Sequence, residues 1–525
     1  MTNGLSFGAI FAAIGRVIDP DLPATIHGDR ATSWRDFDAR TSAIAAACHA
    51  AGAVPGDRIA HLMRNSPSYL ETTVAGFKAR LVHVNVNYRY TGEELFYILD
   101  NSAAAVVVYD AEFAPLVASI RHRLDTKLYL QVGGETEAFA EDFNIVAASG
   151  ATLCPQAHDY CDMLFIYTGG TTGMPKGVMW EQGALWGNMR ASANPGGIPP
   201  ETLADQLGNI AHGRGRNRSL VLPPLMHGAG MIIAISTLAR GGTVVTVPGD
   251  NFDPELAVTT CQAVACDYAV IVGDAFGRPL LRALDAGHGS ISSLAVLVSS
   301  GTMWSPETKA GLLRHAPAMM LADALGSSEG LGLGTSVQTS ANAGAPTRFM
   351  ADGNTLVLDE AMQPVVPGSG VMGKVARRGM IPLGYWRDPV KSAATFVTVD
   401  GVRYSMPGDF ALVEADGSFT LLGRGSQCIN TAGEKVFPEE VEEALKTHPA
   451  IDDALVFGVA DEKWGQAVTA VVEAHSAVDV ETLRAHCRQH LAGYKTPKKI
   501  IIVAKVPRAP NGKADYVTAK AMAVT

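Results

Sequence analysis

The sequence predicts an α/β protein with a large N-terminal domain of helix-covered mixed sheets, a small β-rich subdomain and a small α+β C-terminal domain. First, 525 residues with 47% hydrophobic content are too many for one core and supply enough apolar surface for two or more. Second, short β-rich runs alternate with Ala-rich, helix-favouring segments, as in parallel or mixed sheets. Third, turn signals become frequent near Gly353.

The first predicted element is an amphipathic helix over residues 5–18. Its apolar side chains recur at helical spacing and form one stripe: Phe7, Ile10, Phe11, Ile14, Val17 and Ile18. A peripheral membrane contact is the alternative, but we expect this stripe to pack on the protein's own core.

The strands of the N-terminal domain are predicted where β-rich runs recur, at residues 104–109, 163–167, 243–247, 269–272 and 294–298. Further along, Asp-Gly pairs at 352–353, 400–401 and 416–417 predict hairpins of the β-rich subdomain. After Arg424 we expect a helix at 438–446 and a strand at 454–459. The predicted domains are therefore 1–424, with the β-rich subdomain at about 350–424, and 425–525.

Charge and cysteine content narrow the class of partner. The chain has 42 basic and 52 acidic side chains, and its net charge of -10 disfavours nucleic acid and anionic lipid. Seven cysteines without a CxxC pair predict neither a disulfide framework nor a zinc site. No signal peptide and no run of roughly 18 apolar residues is seen. We therefore expect a cytoplasmic protein that acts on small molecules, with a homodimer left open.

The segment YTGGTTGMPKG at 167–177 predicts a polyphosphate-binding loop after the apolar run 163–166. Glycines let the backbone approach an anion, threonine hydroxyls donate hydrogen bonds, and Lys176 adds positive charge. The spacing and the Lys-Ser/Thr pair of a Walker loop are absent, which excludes that class of NTPase. The candidate phosphate-binding residues are Thr168, Gly169, Gly170, Thr171, Thr172 and Gly173.

The loop resembles the signature of the adenylate-forming superfamily, which includes acyl-CoA synthetases, peptide-synthetase adenylation domains and firefly luciferase. Further segments resemble that family in the same order along nearly the whole chain: PPLMHGAG (223–230), SSGTMW (299–304), DALGSSEG (323–330), YSMPGD (404–409), GRGSQCIN (423–430), NTAGEKVFPEEVEE (430–443) and VPRAPNGKAD (506–515).

The resemblance implies an ATP site. Asp323 would meet the adenine amino group, Ser328 the α-phosphate and Glu329 a Mg²⁺ ion, which prefers hard oxygen ligands. Asp409 and Arg424 would hold the ribose. The remaining nucleotide contacts implied are Gly301, Thr302 and Ala324.

Two positions depart from the family pattern. Leu325 replaces the aromatic residue that usually covers adenine, and Met303 stands where proline is common. We therefore expect an aliphatic face, not a stacked ring, against the base.

The catalytic residues implied are His227, beside the substrate carboxylate, and the charge-bearing Lys176 and Lys513. Ser426 would be the hinge of a mobile C-terminal domain, and Gly433 would line the pantetheine path. The function implied is that of an ATP-dependent acid:CoA ligase, which uses ATP, Mg²⁺ and coenzyme A to make an acyl-adenylate and then an acyl-CoA thioester.

The acyl pocket implied by the resemblance has small walls at Gly228, Gly230, Ser300 and Gly332. Such walls favour a bulky apolar acid, either a steroid side chain or a branched or arylalkanoic acid, with medium- or long-chain fatty acids next. Three alternatives share the ATP motifs: an acyl-AMP ligase that loads a carrier protein, a luciferase-like oxygenase, and a non-catalytic nucleotide-binding homologue.

Overall fold

The computed structural model describes residues 5–90, 92–168, 175–302, 304–424, 427, 429–431, 434–461, 465–491, 493–509 and 512–524. Its first part, up to residue 181, contains the following helices and strands: α1 (Phe7–Ala13), β1 (Pro23–His27), β2 (Arg30–Ser33), α2 (Trp34–Ala50), β3 (Arg58–Leu62), α3 (Pro67–Lys78), β4 (Val82–Asn85), α4 (Gly92–Ser102), β5 (Ala104–Asp110), α5 (Ala114–Ile120), β6 (Leu128–Val132), β7 (Glu141–Asp142), α6 (Phe143–Ala147), β8 (Met163–Thr168) and β9 (Lys176–Glu181).

The predicted N-terminal helix is present as α1, followed by a 3₁₀ turn over Ile14–Arg16. The Ser6 side chain accepts a hydrogen bond from the backbone N–H of Ala9 and so caps the helix. Phe7 and Phe11 are fully buried, which confirms that the apolar stripe packs on the protein's own core.

The second part of the N-terminal domain alternates helices and strands: α7 (Gln182–Met189), α8 (Leu203–Ala211), β10 (Arg218–Val221), α9 (Gly228–Ala239), β11 (Thr243–Thr246), α10 (Pro254–Val264), β12 (Tyr268–Ile271), α11 (Gly273–Asp285), β13 (Val296–Ser300), α12 (Pro306–His315), β14 (Met320–Ser327) and β15 (Gly330–Gln338).

Two eight-stranded sheets result, in the orders β15-β14-β13-β12-β10-β11-β1-β2 and β18-β9-β8-β4-β3-β5-β6-β7, where β18 is Gly384–Tyr385. The central pairs are parallel, while β1–β2, β8–β9, β9–β18 and β14–β15 are antiparallel. A shared apolar core that includes the buried Trp34, Trp180 and Trp186 packs helices against these sheets. The predicted class of helix-covered mixed sheets is thereby confirmed.

The β-rich subdomain contains β16 (Thr355–Leu358), β17 (Met372–Arg378), α13 (Pro389–Thr395), β19 (Phe396–Val399), β20 (Val402–Ser405), β21 (Asp409–Val413) and β22 (Phe419–Arg424). Its strands form a six-stranded sheet in the order β19-β20-β17-β21-β22, and β16 also pairs with β17.

The hairpins predicted at 400–401 and 416–417 are confirmed, since these pairs join β19 to β20 and β21 to β22. The hairpin predicted at 352–353 is wrong. Asp352 and Gly353 form a turn, but the next strand, β16, pairs with the later β17 instead of with the strand before the turn.

The C-terminal domain places two helices and a five-stranded sheet in one core, with a third helix packed on the other face of the sheet. Its elements are β23 (Ile429–Thr431), β24 (Glu434–Val436), α14 (Pro438–Lys446), β25 (Ile451–Asp461), β26 (Gly465–Ala474), α15 (Val480–His490), β27 (Lys499–Val503) and α16 (Tyr516–Val524). Among the helices in the described ranges, none is both long and apolar enough to cross a bilayer.

Candidate active site

The Gly/Thr-rich loop lies in sequence between two antiparallel strands, β8 and β9, which are the third and second strands from one edge of the second sheet. Thr168, at the end of β8, is opposite Lys176, at the start of β9. The candidate residues from Gly169 to Gly173 lie outside the described residues, so their phosphate contacts stay a prediction.

A buried asparagine that sequence reasoning missed ties this loop to the histidine segment. Asn85 Nδ2 donates to the carbonyl oxygens of Tyr167, at 2.9 Å, and Met226, at 2.7 Å, while its Oδ1 accepts from the Tyr167 N–H. One side chain therefore fixes the end of β8 relative to the residue before His227.

Lys176 lies in a charged cluster beside the loop. Its Nζ is 3.4 Å from Asp388 Oδ2 and 5.4 Å from the ring centre of Tyr385. Burial and the neighbouring Lys391 lower the pKa of Lys176, whereas Asp388 opposes that shift. Two lysines facing one carboxylate leave positive charge to bind an anion.

Glu329 lies next to the same cluster, in the turn between β14 and β15. Its Oε1 accepts a hydrogen bond from the Tyr385 hydroxyl at 2.9 Å, and its carbonyl accepts from Ser405 Oγ at 2.5 Å. The preceding carbonyl, of Ser328, accepts from Trp180 Nε1 at 2.8 Å. Tyr385, another residue that sequence reasoning missed, thus contacts both the predicted metal ligand and the lysine.

Asp323 is buried in an ion pair. Its Oδ2 lies 2.7 Å from Nζ of Lys309, a fully buried lysine that also donates to Thr347 Oγ1. Burial raises the pKa of Asp323, and the adjacent ammonium opposes the shift. Lys309 therefore fixes the position of the Asp323 carboxylate. The contact of Asp323 with adenine stays a prediction.

His227 precedes α9 and is largely enclosed. Burial, together with the positive charges of Lys513 and Arg89, lowers its pKa to about 4. The ring is therefore neutral near pH 7. The charge of Lys513, in the C-terminal domain, thus acts on His227 of the N-terminal domain.

Lys513 is exposed at the end of a tight turn. Its carbonyl accepts from the N–H of Ala509 at 2.8 Å, and Arg508 pairs with Ala514 across the turn. Gly512 has a φ of +77°, and a Cβ at this position would lie only 3.1 Å from Ala275 Cβ. A larger residue would therefore disturb the contact with the N-terminal domain.

The predicted ribose residues face each other on neighbouring strands. Asp409 begins β21 and is buried, and it is in register with Arg424 at the end of β22. The side chain of Arg424 and the residues Ser426 and Gly433 lie outside the described part of the chain, so the guanidinium contact, the hinge and the pantetheine path stay predictions.

The small residues predicted for the acyl pocket occupy different environments. Ser300, at the end of β13, is in register with Ala324 of β14, and Gly301 and Thr302 follow it. A Cβ on Gly228 would touch Ile232 and Ile166 at ordinary distances, whereas one on Gly230 would lie 2.7 Å from the Pro223 carbonyl. A Cβ on Gly332 would meet the Arg377 guanidinium at 3.3 Å. Gly230 is thus required because the backbone of Pro223 packs closely against it, whether or not it also lines the pocket.

Of the two residues that depart from the family pattern, Leu325 is partly buried against the core of the β-rich subdomain around Leu333, Phe349 and Phe419. Met303 lies outside the described residues. The aliphatic side chain at position 325 is therefore held in place by packing against this cluster.

Known proteins resemble this chain along nearly its whole length. The family model of the AMP-binding enzyme matches residues 17–386, and that of the AMP-binding enzyme C-terminal domain matches residues 440–513. The chain is 38% identical to the medium-chain acyl-CoA ligase Mig of Mycobacterium avium, over 100% of this chain and 99% of that protein. It is 37% identical to the 3-oxocholest-4-en-26-oate–CoA ligase of Rhodococcus rhodochrous, over 95% of this chain and 93% of the relative.

The fold agrees with these matches. The structure of the anthranilate CoA ligase AuaEII in complex with anthranoyl-AMP is similar with a TM-score of 0.85 at 21% identity, over 100% of this chain and 98% of that one. The predicted resemblance to adenylate-forming enzymes is thereby confirmed. The chain therefore belongs to the AMP-binding enzyme family.

Proposed function

We propose that the protein is an ATP-dependent acid:CoA ligase that activates a fatty or steroid carboxylic acid as its acyl-adenylate and transfers the acyl group to coenzyme A. The observation that carries the proposal is that Lys176 and Glu329 both contact Tyr385, while the turn that carries Lys513 packs against Ala275 of the N-terminal domain. The relatives that match nearly the whole chain are ligases of this type.

Adenylation joins an anionic carboxylate to an anionic phosphate, so the protein's main contribution is positive charge and alignment. Lys176 and Lys513 supply that charge from the two domains. His227 is neutral, and it therefore serves as a wall and hydrogen-bonding group beside the carboxylate without adding a charge. Asp409 and Arg424 hold the ribose, and Asp323 meets adenine.

The residues present fit Mg²⁺. Glu329 offers a carboxylate, and one of its oxygens is already oriented by the Tyr385 hydroxyl, as outer-shell groups orient metal ligands. A bound Mg²⁺ would neutralise phosphate charge next to Lys176.

The second half-reaction requires a different arrangement, because the coenzyme A thiol must reach the carbonyl carbon that Lys513 helped to activate. A rotation of the C-terminal domain about Ser426 withdraws Lys513 and brings Gly433 to the pantetheine path. Both residues keep the roles that the family resemblance implies.

The substrate class follows from the relatives and from the small side chains near the site. The names of the two relatives give a medium-chain acyl group for one and 3-oxocholest-4-en-26-oate for the other. Gly228 and Ser300 leave room for such apolar acids. A cytoplasmic location suits this chemistry and the six described cysteines, all of which are free thiols.

The test measures pyrophosphate release with ATP and Mg²⁺ across steroid, arylalkanoic and fatty acids, with and without coenzyme A, and identifies products by mass. We expect acyl-CoA from long or bulky apolar acids and little turnover of acetate. An acyl-adenylate that persists in the presence of coenzyme A would indicate a carrier-protein acceptor. Absence of pyrophosphate with every acid would contradict the proposal and favour a non-catalytic nucleotide-binding protein.

A further inference from the structure

Two arginines on α11 of the N-terminal domain bind the C-terminal domain. Arg278 and Arg282 are four residues apart and therefore lie on the same face of the helix. Arg278 donates to the carbonyl oxygens of Ile451, at 3.3 Å, and Asp452. Arg282 Nη2 lies 2.9 Å from Asp452 Oδ2. The start of β25 is thus held by two guanidinium groups.

Arg278 is itself held in place. Its Nε lies 3.5 Å from Asp274 Oδ2, and Asp274 Oδ1 accepts hydrogen bonds from the N–H and hydroxyl of Ser305. The side chains of Arg278 and Asp452 are only 15% and 18% exposed. Because water screens this contact poorly, it stabilises the docked arrangement more than an exposed ion pair does.

The neighbouring residue, Asp453, binds the turn that carries Lys513. Arg508 Nη2 donates to Asp453 Oδ1 at 2.6 Å and its Nε donates to Oδ2, which forms a bidentate pair. Arg508 Nη1 also donates to the carbonyl of Gly512 at 3.1 Å. A chain of polar contacts therefore runs from α11, through residues 452 and 453, to the backbone beside Lys513.

Close packing is interrupted near these contacts by a cavity of about 780 Å³ between the two domains. Both domains contribute lining residues, among them Arg64, Phe252 and Arg282 from one and Glu473 and Lys505 from the other. Since the cavity separates the surfaces here, the polar contacts of Asp452 hold this part of the interface together.

We propose that Arg278, Arg282 and Asp452 are positioning residues that select the domain orientation in which the turn carrying Lys513 packs against Ala275 of the N-terminal domain. This inference rests on the proposed role of Lys513 in adenylation and on the domain rotation that follows. The contact of α11 with Asp452 joins the two domains and is broken by rotation, whereas the Asp453–Arg508 pair lies within the C-terminal domain and moves with it. Loss of the first contact therefore disfavours adenylation only.

The test compares the two half-reactions in Asp452→Asn and Arg282→Gln. Single-turnover pyrophosphate formation without coenzyme A should fall about tenfold in Asp452→Asn and less in Arg282→Gln, because Arg282 is largely exposed. Thioester formation from supplied acyl-adenylate should stay at the wild-type rate or rise. The charge-swapped double variant, Arg282→Asp with Asp452→Arg, should recover part of the adenylation that Asp452→Arg alone loses.

The matched control is Glu481→Gln, which removes an ion pair with Arg484 on α15, inside the C-terminal domain. Both half-reactions should be unchanged in it. Wild-type protein that makes neither pyrophosphate nor thioester would refute the proposed function. Active wild-type protein whose Asp452→Asn variant slows both half-reactions equally, or neither, would overturn this inference alone.

Discussion

At the scale of single residues, the site surrounds a neutral imidazole with cations. The pKa of His227 is lowered to about 4 by burial and by the charges of Lys513 and Arg89, so protonating it near neutral pH is unfavourable. Lys176 is balanced in part by Asp388. The positive charge that remains is carried by side chains that can meet phosphate and carboxylate oxygens, which is what adenylation requires.

The first prediction concerns Lys513. Lys513→Ala should lower the rate of adenylation by about 10²- to 10³-fold, because it removes a cation from the site of developing negative charge. Thioester formation from supplied acyl-adenylate should be spared. The measurement is single-turnover pyrophosphate release beside thioester formation from synthetic acyl-adenylate.

Lys520→Ala is the matched control, since Lys520 is an exposed lysine on α16 of the same domain. It should leave both half-reactions unchanged. If Lys513→Ala slowed the two half-reactions by the same factor, the lysine would be needed for the fold or for both steps, and its assigned role would be wrong.

At the scale of secondary-structure elements, local signals predicted most of the fold. The hairpin at 400–401 was predictable because a two-residue hairpin turn requires positive φ, which Asp-Gly pairs adopt readily. In the structure, Asp400 and Gly401 both have positive φ. The pair at 352–353 has the same composition, yet the partner of the next strand is decided by the order of the sheet. Composition identifies a turn, but it does not tell whether the strands on either side of that turn pair with each other.

The same limit applies to the site. The motif residues were predictable because each motif is continuous in sequence. Tyr385 and Glu329 are 56 positions apart, and Asn85 and Tyr167 are 82 apart, so their contacts depend on how the strands assemble. Lys309 was missed because a lysine on a helix surface is usually solvated, whereas this one is buried against Asp323.

The second prediction belongs to this scale and concerns a pair of histidines that joins β3 to β4. His83 Nδ1 and His61 Nε2 are 3.1 Å apart and both rings are fully buried. Burial lowers the pKa of His83 from 6.5 to about 3 and also lowers that of His61. Only the unfolded chain therefore binds protons between these pKa values, so stability is retained above pH 6.5 and lost as the pH falls toward 3.

The loss should be about 1.4 kcal/mol per pH unit for each histidine. Urea unfolding at about pH 7 and about pH 5 measures it as a shift of the midpoint. His83→Asn keeps a polar atom near the Nδ1 position and should reduce the shift, whereas His122→Asn, at an exposed histidine, should keep the wild-type shift. An unchanged shift in His83→Asn would show that other groups cause the acid sensitivity.

At the scale of the whole molecule, the residues proposed as catalytic are divided between two domains, which meet through polar contacts beside a cavity. Lys176, Glu329 and His227 are carried by one domain and Lys513 by the other. On the proposed mechanism, adenylation depends on an equilibrium between domain orientations, and the contact of α11 with Asp452 favours one of them. The chain between β22 and β23 must accommodate the change of orientation.

The last prediction concerns a proline that restricts the backbone between β22 and β23. Ser426→Pro fixes one backbone dihedral angle and removes an N–H, so rotation about this residue should become slower. Since adenylation takes place before rotation, single-turnover pyrophosphate formation should stay near the wild-type rate, while acyl-CoA formation should fall about tenfold or more. Ser426→Ala, which leaves the dihedral angles free, should behave as the wild type. An equal loss of both half-reactions in Ser426→Pro would place the hinge elsewhere in the chain, whereas loss confined to acyl-CoA formation would show that the domains rotate at this residue between the two steps.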